Sequence, residues 1–528
     1  MLYSILMIKE RLYKILPIVA LFALATFFAF YYPPTVGIDN YYHIRHAWIY
    51  QTQGMFNSDF PWLENSIIGK LGGDIWYGFH ILLIPFTFFT DLLLGIKFAT
   101  VAVTSFTLLA IYFVFKKFNV RWPLLWTIFF FFSVPDVHFR LMMLRPHVLT
   151  LALLLIIFYL LIEKRSGKHI FIASTLASFI HISLLWLPLL IAFIIFICQR
   201  IFEKRWEIKN NIYLLLGLII GAILRPNALS SLKIAYVQVV QLSLEKLNNA
   251  PLRFGTELRP GNSLSIFLFE ILPISLIVIA GIISLIIFLK NKKVNLQNQE
   301  KTLIWSLVTL YIIFGILFYS FARRTADIWV LFSVLLAAVT FSIVFKNNEL
   351  YLKFKKIFLT IFFIAIIAFG AQTLKIVSGY ISGLPPQDMF KEPATWLKEN
   401  SQKEDIVFNT RWDNFSFMFF WNQHNHFING MDPIFEYTNN KSLYLQHYFL
   451  EIDKILMVNG EAYTCGANPC QENSVSTVYD SLKKNFNAKY IFVEPARNPK
   501  LYKFLDSDKR FDKVFDAKNG LEVVFKVL

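Results

Sequence analysis

Residues 16–45 read LPIVALFALATFFAFYYPPTVGIDNYYHIR: an apolar run from Leu16 to Tyr32, the pair Pro33-Pro34, then Gly37-Ile38-Asp39-Asn40-Tyr41-Tyr42-His43-Ile44-Arg45. The run is long enough to enter a bilayer as a helix, and the prolines end it because they cannot donate to its hydrogen-bond ladder. The carboxylate and aromatic residues that follow therefore belong to a loop at the far membrane surface. No small-residue cleavage site follows the run, so it reads as a retained helix and not as a secretory signal.

The rest of the chain extends this pattern. Its 528 residues are 56% hydrophobic and include 56 phenylalanines, too apolar a composition for a soluble protein of this length. Apolar runs near 15–32, 96–115, 122–135, 147–162, 169–183, 184–199, 211–224, 270–289, 302–320, 328–345 and 357–374 predict a polytopic α-helical membrane protein with about eleven transmembrane helices. Between them lie basic clusters: Lys9/Arg11/Lys14, Lys116/Lys117/Arg121, Lys164/Arg165/Lys168, Arg200/Lys204/Arg205/Lys209, Lys290/Lys292/Lys293/Lys301 and Lys346/Lys353/Lys355/Lys356. All fall on one side for that count. This places the N-terminus in the cytoplasm, beneath the plasma (inner) membrane, and the segment after the last helix outside. The net charge of +16 is then a record of topology, and no nucleic-acid partner is implied.

The segment 74–89 is apolar too. Counting it as a span would invert every later loop, so it is expected to lie flat on the outer surface, as is a helix over 40–53. The transmembrane module is thus 1–379, with a long first external loop, 33–95. After Gln372 the texture becomes mixed and polar, and 380–528 is expected to be a small extracytoplasmic α/β domain. Its helix-like segments are 392–400 and 475–485, and its strand-like segments 405–409 and 489–493. Cys465 and Cys470 in that domain are either a disulfide or two free thiols, and Cys198 ends an apolar run.

Four polar clusters fall on the outer side for this topology: Asp39 to Arg45, Asp136 to His147, Arg253 to Pro260 with Glu257, and Arg323-Arg324 with Asp327. The outer loops also hold arginines, against the usual preference for positive charge inside. A guanidinium fork suits a phosphate, so Arg45, Arg140, Arg145, Arg259, Arg323 and Arg324 are candidates for gripping an anionic lipid phosphate. Asp39, Glu257 and Asp136 are the catalytic candidates, one acting as base and the others holding arginines in place. Tyr42, His43, His138, Trp412 and Asp413 are candidates for contacting substrate. A Mg²⁺ or Mn²⁺ ion held by Asp39, Asp136, His138 and Glu257 stays open, because no spacing demands it.

The early Asp39 in Gly-Ile-Asp-Asn-Tyr-Tyr-His, the flanking surface helices, the later Asp136-Val137-His138 and the soluble C-terminal domain together resemble the GT-C superfamily of membrane glycosyltransferases. Asp136-Val137-His138 is similar to the acidic pair of the oligosaccharyltransferase subunits, with His replacing the second acid. Thr256-Glu257 is similar to their later Glu motif, and Trp412-Asp413-Asn414 is a partial match to their acceptor motif. The chain is closer to the protein O-mannosyltransferase and aminoarabinose transferase type. That resemblance implies sugar transfer, with inversion, from a polyprenyl-phosphate donor to a glycan, lipid or protein acceptor in the cell envelope, with Asp39 as general base. A transporter or flippase of an amphipathic lipid-linked substrate is the alternative. A membrane scaffold with a recognition domain is a third.

Overall fold

The computed structural model describes residues 2–32, 35–292, 295–464, 476–518 and 520–528. Cys465 and Cys470 lie outside them. Each apolar run falls on a helix: Leu2–Tyr31, Leu92–Lys117, Pro123–Phe132, Pro146–Ile162, Gly167–Ile180, Trp186–Cys198, Ile208–Ile223, Leu272–Lys292, Asn298–Ser320, Ala326–Val344 and Asn348–Ser382. Among the described residues, 6 helices are long and apolar enough to cross a membrane, or up to 8 if each of two broken pairs is one span. At about 1.5 Å per residue, a helix such as Gly167–Ile180 falls short of the hydrocarbon thickness. One broken pair is Pro123–Phe132 followed by Pro135–Leu141, bent by 97°. Pro135 cannot continue the ladder of the first helix, and Val134 is extended.

The chain forms two compact units. The first comprises residues 1–37, 93–224 and 254–384; the second comprises 38–92, 225–253 and 385–528. In the first unit, Ala326–Val344 is the central helix, packed against Leu272–Lys292 and Asn298–Ser320 and buried along almost its whole length. The two ends of this helix bundle differ chemically. At one end Lys164 pairs with Glu203, Glu203 accepts from Thr302, and Lys346 pairs with Glu300 at 2.6 Å. At the other end arginines meet carboxylates.

The second unit carries a five-stranded sheet. Its strands are β1 (Ile406–Asn409), β2 (His426–Phe427), β6 (Tyr490–Val493), β7 (Phe511–Asp516) and β8 (Val523–Val527), in the order β2-β1-β6-β8-β7. β2, β1 and β6 are parallel, while β8 and β7 pair antiparallel. A smaller sheet joins β3 (Ile455–Val458), β4 (Glu461–Thr464) and β5 (Ser476–Thr477). The core behind the larger sheet is apolar, with Phe408, Leu450, Leu482, Ile491 and Phe525 buried. Leu63 bridges in parallel to Phe427, so the 38–92 segment extends the sheet at its β2 edge.

Glu451, 4% exposed at its side chain, meets Arg253 at 3.2 Å in this unit. Burial raises its carboxyl to about 6, against the lowering by His447 and Arg253. A carboxyl whose folded value lies above its unfolded one stabilises below the unfolded value, and that stabilisation is lost as pH rises through the folded one. Between about pH 4 and 7 the native state should therefore weaken by about 2 kcal/mol. Thermal unfolding followed over that range should show Glu451→Gln with a flatter pH dependence than the wild type.

Candidate active site

In the first unit, residues far apart in sequence meet at the bundle end opposite the lysines. Arg140 donates from Nε to Asp327 Oδ2 at 2.7 Å and from Nη1 to Glu257 Oε2 at 2.8 Å. Arg145 donates to the same Glu257 oxygen at 2.8 Å. Arg323 pairs in bidentate fashion with Asp136, and its Nη2 also reaches Glu270 Oε1 at 3.4 Å and the Tyr380 hydroxyl at 3.1 Å. His147 Nε2 lies 3.6 Å from Asp327 Oδ2. The assembly can form because Pro135–Leu141 starts afresh after the break, so Asp136 and Arg140 sit one turn apart on a short helix.

Burial is uneven across this network. Arg140 and Asp327 are sealed, with side chains 9% and 4% exposed, whereas Arg145 and Glu257 are 15% and 34% exposed. Crowding pushes the Glu257 carboxyl up, but Arg145, Arg140 and Arg324 outweigh it and hold the group well below the usual carboxylate range. Glu257 is therefore a weak base and a strong anchor for guanidinium groups. Arg259 is exposed, and its backbone carbonyl receives the Arg323 N–H at 2.8 Å. His138 is fully buried: its Nε2 meets the Tyr32 hydroxyl at 2.7 Å and its Nδ1 meets the Phe131 carbonyl at 3.2 Å. Both ring nitrogens are engaged within the protein, which argues against His138 as a substrate or Mg²⁺ ligand. Asp136 is likewise committed to Arg323.

Asp39 opens the second unit as the first residue of the helix Asp39–Gln53, half-buried. Gly37 precedes it with φ 90°, a turn that a side chain would strain. A carboxylate at this position is favoured by the unpaired N–H groups of the first helical turn. Asp39, Tyr42, His43, His46 and Tyr50 recur at helical spacing and share one stripe. Tyr42 and His43 are each 2% exposed. The Tyr42 hydroxyl bonds His46 Nδ1 at 2.9 Å, and His43 Nδ1 meets His80 Nε2 at 2.8 Å. Both serve packing and hydrogen bonding in this unit, where sequence reasoning expected them at a substrate surface. Arg45 lies on another face, 4.9 Å over Trp48 and 5.0 Å over Phe420. Burial lowers its guanidinium to about 10. Its Nε has no hydrogen-bond partner among the described residues.

In the C-terminal part, Asp413 takes both of its hydrogen bonds from Arg411, at 2.9 and 2.6 Å, and Trp412 opens the short turn Trp412–Asn414. Phe415, Phe417, Phe419 and Phe420 are core residues, 3% exposed or less. Asp432 caps the helix Pro433–Asn439 through Ile434 N–H, and His426 Nδ1 meets Glu64 at 2.6 Å.

Glu270, Tyr380, Asp74 and His80 escaped the sequence reading. Glu270, 3% exposed, sits in the π-helical turn Phe267–Ile271; a lone acid inside an apolar run was the available signal. Tyr380 is near the end of the last long helix. Asp74 was read as the edge of a surface helix, yet it is buried and accepts from Tyr50 at 2.9 Å and bonds His80 at 2.6 Å.

No family model matches the sequence. No curated protein matches it either. Among solved structures the chain is similar to ArnT from Cupriavidus metallidurans in the apo state, with a TM-score of 0.55 and 8% identity, covering 98% of each chain. The chain shares the overall fold of that protein. At that identity the likeness speaks for the fold alone.

Proposed function

We propose that the protein is a membrane glycosyltransferase that moves a sugar from a polyprenyl-phosphate donor to a glycan, lipid or protein acceptor on the extracytoplasmic face. The observation that carries this reading is the network of Arg140, Arg145 and Arg323 on Glu257, Asp327, Asp136 and Glu270, a dense guanidinium array at one end of an apolar bundle. Such an array suits a lipid phosphate, whose charge grows as the sugar leaves. Arg145 and Arg324 both act on the partly exposed Glu257, the side of the network that a ligand would meet. Glu257 and Asp136 hold the forks in place, and Asp39 takes the proton of the acceptor hydroxyl as its oxygen attacks the anomeric carbon. One displacement gives inversion, and the polyprenyl phosphate departs. None of these steps calls for a metal ion.

The test is transfer of radiolabelled sugar from synthetic polyprenyl-phosphate donors to envelope extracts by the protein in nanodiscs. Acceptor labelling and release of the lipid phosphate should rise together with enzyme concentration. Glu257→Gln should raise the donor KM about tenfold, because the amide oxygen still accepts from Arg140 and Arg145 but without the charge that strengthens those bonds, a loss of about 1.5 kcal/mol in all. Its kcat should change less.

A second reading, a transporter or flippase of the same lipid class, draws on the break between Pro123–Phe132 and Pro135–Leu141 and on Glu270 within an apolar helix. Broken helices and buried carboxylates are features of transporters. Flux of donor lipid across proteoliposomes without covalent change would favour that reading.

A further inference from the structure

Within the second unit, a further chemical group forms where the helix Asp39–Gln53 packs on the segment 74–80. His46 Nε2, Asp74 Oδ2 and His80 Nδ1 lie within 4.8 Å of one another, and all three residues are buried. The His46 and His80 rings stack with centroids 4.3 Å apart. His80 Nδ1 is 2.6 Å from Asp74 Oδ2, and His46 Nε2 is 3.9 Å from the same oxygen.

The surroundings of these three side chains fit ligands better than a simple hydrogen-bonded core. Each imidazole has its other nitrogen tied down: His46 Nδ1 to the Tyr42 hydroxyl at 2.9 Å, and His80 Nε2 to His43 Nδ1 at 2.8 Å. Such outer partners fix the ring orientation of metal-binding histidines. Asp74 Oδ1 receives the Trp76 N–H at 2.8 Å, which leaves Oδ2 facing the two rings. Arg225 and Ser231 hold the Asp74 carbonyl at 3.1 and 3.3 Å, fixing the backbone that carries the carboxylate. The Tyr50 hydroxyl places a fourth donor atom 2.9 Å from Oδ2.

We propose that His46, Asp74 and His80 bind a divalent transition-metal ion of the zinc class, with Tyr50 beside the fourth position. Two imidazoles and one carboxylate form a donor set that zinc and cobalt accept and that Mg²⁺ does not favour. The ion replaces the proton shared by His80 and Asp74 and pins the helix Asp39–Gln53 to the segment 74–80. His46 follows Asp39 by two helical turns, so the ion would also steady the stripe that carries Asp39. Its role is structural and does not depend on the glycosyltransferase reading.

The test uses the full chain in nanodiscs from cells grown with added zinc. Elemental analysis should find about one zinc per chain, falling below about a tenth in Asp74→Asn and His80→Gln. Wild-type protein stripped with a chelator should unfold at a lower temperature and, on reloading with Co²⁺, show the visible bands of a tetrahedral site. His138→Gln, which alters a buried histidine elsewhere, should keep its zinc. Wild-type protein with neither zinc nor a Co²⁺ spectrum would overturn the proposal however the variants fold. Undiminished zinc in Asp74→Asn and His80→Gln, or its loss from His138→Gln, would do the same.

Discussion

Asp39→Asn should lower sugar transfer by about two to four orders of magnitude, the usual contribution of a positioned general base. The loss should fall on kcat, with the donor KM little changed, because the amide keeps the size and polarity of the carboxylate and gives up only its basicity. Folding should survive. Asp39 is half-buried at the first position of its helix, where losing a charge costs about 0.3–1 kcal/mol through the helix dipole. Initial rates and thermal unfolding measured on the same preparation separate the two effects. Wild-type rates in the variant would remove Asp39 from the chemistry. A collapse of the melting transition would instead assign it a structural role.

Arg323→Met should destabilise the first unit by about 3–5 kcal/mol, the range found when one member of a buried ion pair is removed. The size follows from what is left behind. Asp136 and Glu270 are 7% and 3% exposed, and Arg323 bridges both. Without it two carboxylates face one another away from water. The double variant Arg323→Met/Asp136→Asn should recover most of the loss, because it removes one of the stranded charges. Chemical or thermal unfolding of both variants checks this, and a single variant as stable as the wild type would mean that the network bears little of the fold's stability.

Much of this arrangement was legible in the sequence, for identifiable reasons. Apolar runs separated by lysine clusters fix which end of each helix faces which side, so Asp136, Arg140, Arg145, Glu257, Arg323 and Asp327 could be assigned to one end. The pairings could not be read: Arg140 meets Asp327 across 187 residues, and helix spacing within one segment does not specify such a contact. The number of spans is harder to read than the runs themselves, because hydropathy marks apolar runs without measuring their length against the bilayer, and helices such as Gly167–Ile180 are short. Glu270 escaped because averaging over a long apolar run hides one acid. Asp74 and His80 escaped because their amphipathic segment looked like a membrane-surface helix, whereas their partners His43, His46 and Tyr50 come from a different helix and bury them. Tyr42 and His43 were expected to face a substrate for the converse reason: an aromatic cluster near a carboxylate looks the same whether it lines a cleft or packs a core. The strands over 405–409 and 489–493 were found because they are short, β-branched or aromatic, and bounded by turn residues.

The guanidinium array is expected to receive the donor's phosphate. An experimental structure with a polyprenyl phosphate bound tests this most directly. The phosphate is expected within hydrogen-bond distance of Arg145 and Arg324, with Glu257 still holding Arg140. A phosphate bound away from these arginines, with the network unchanged, would contradict the account.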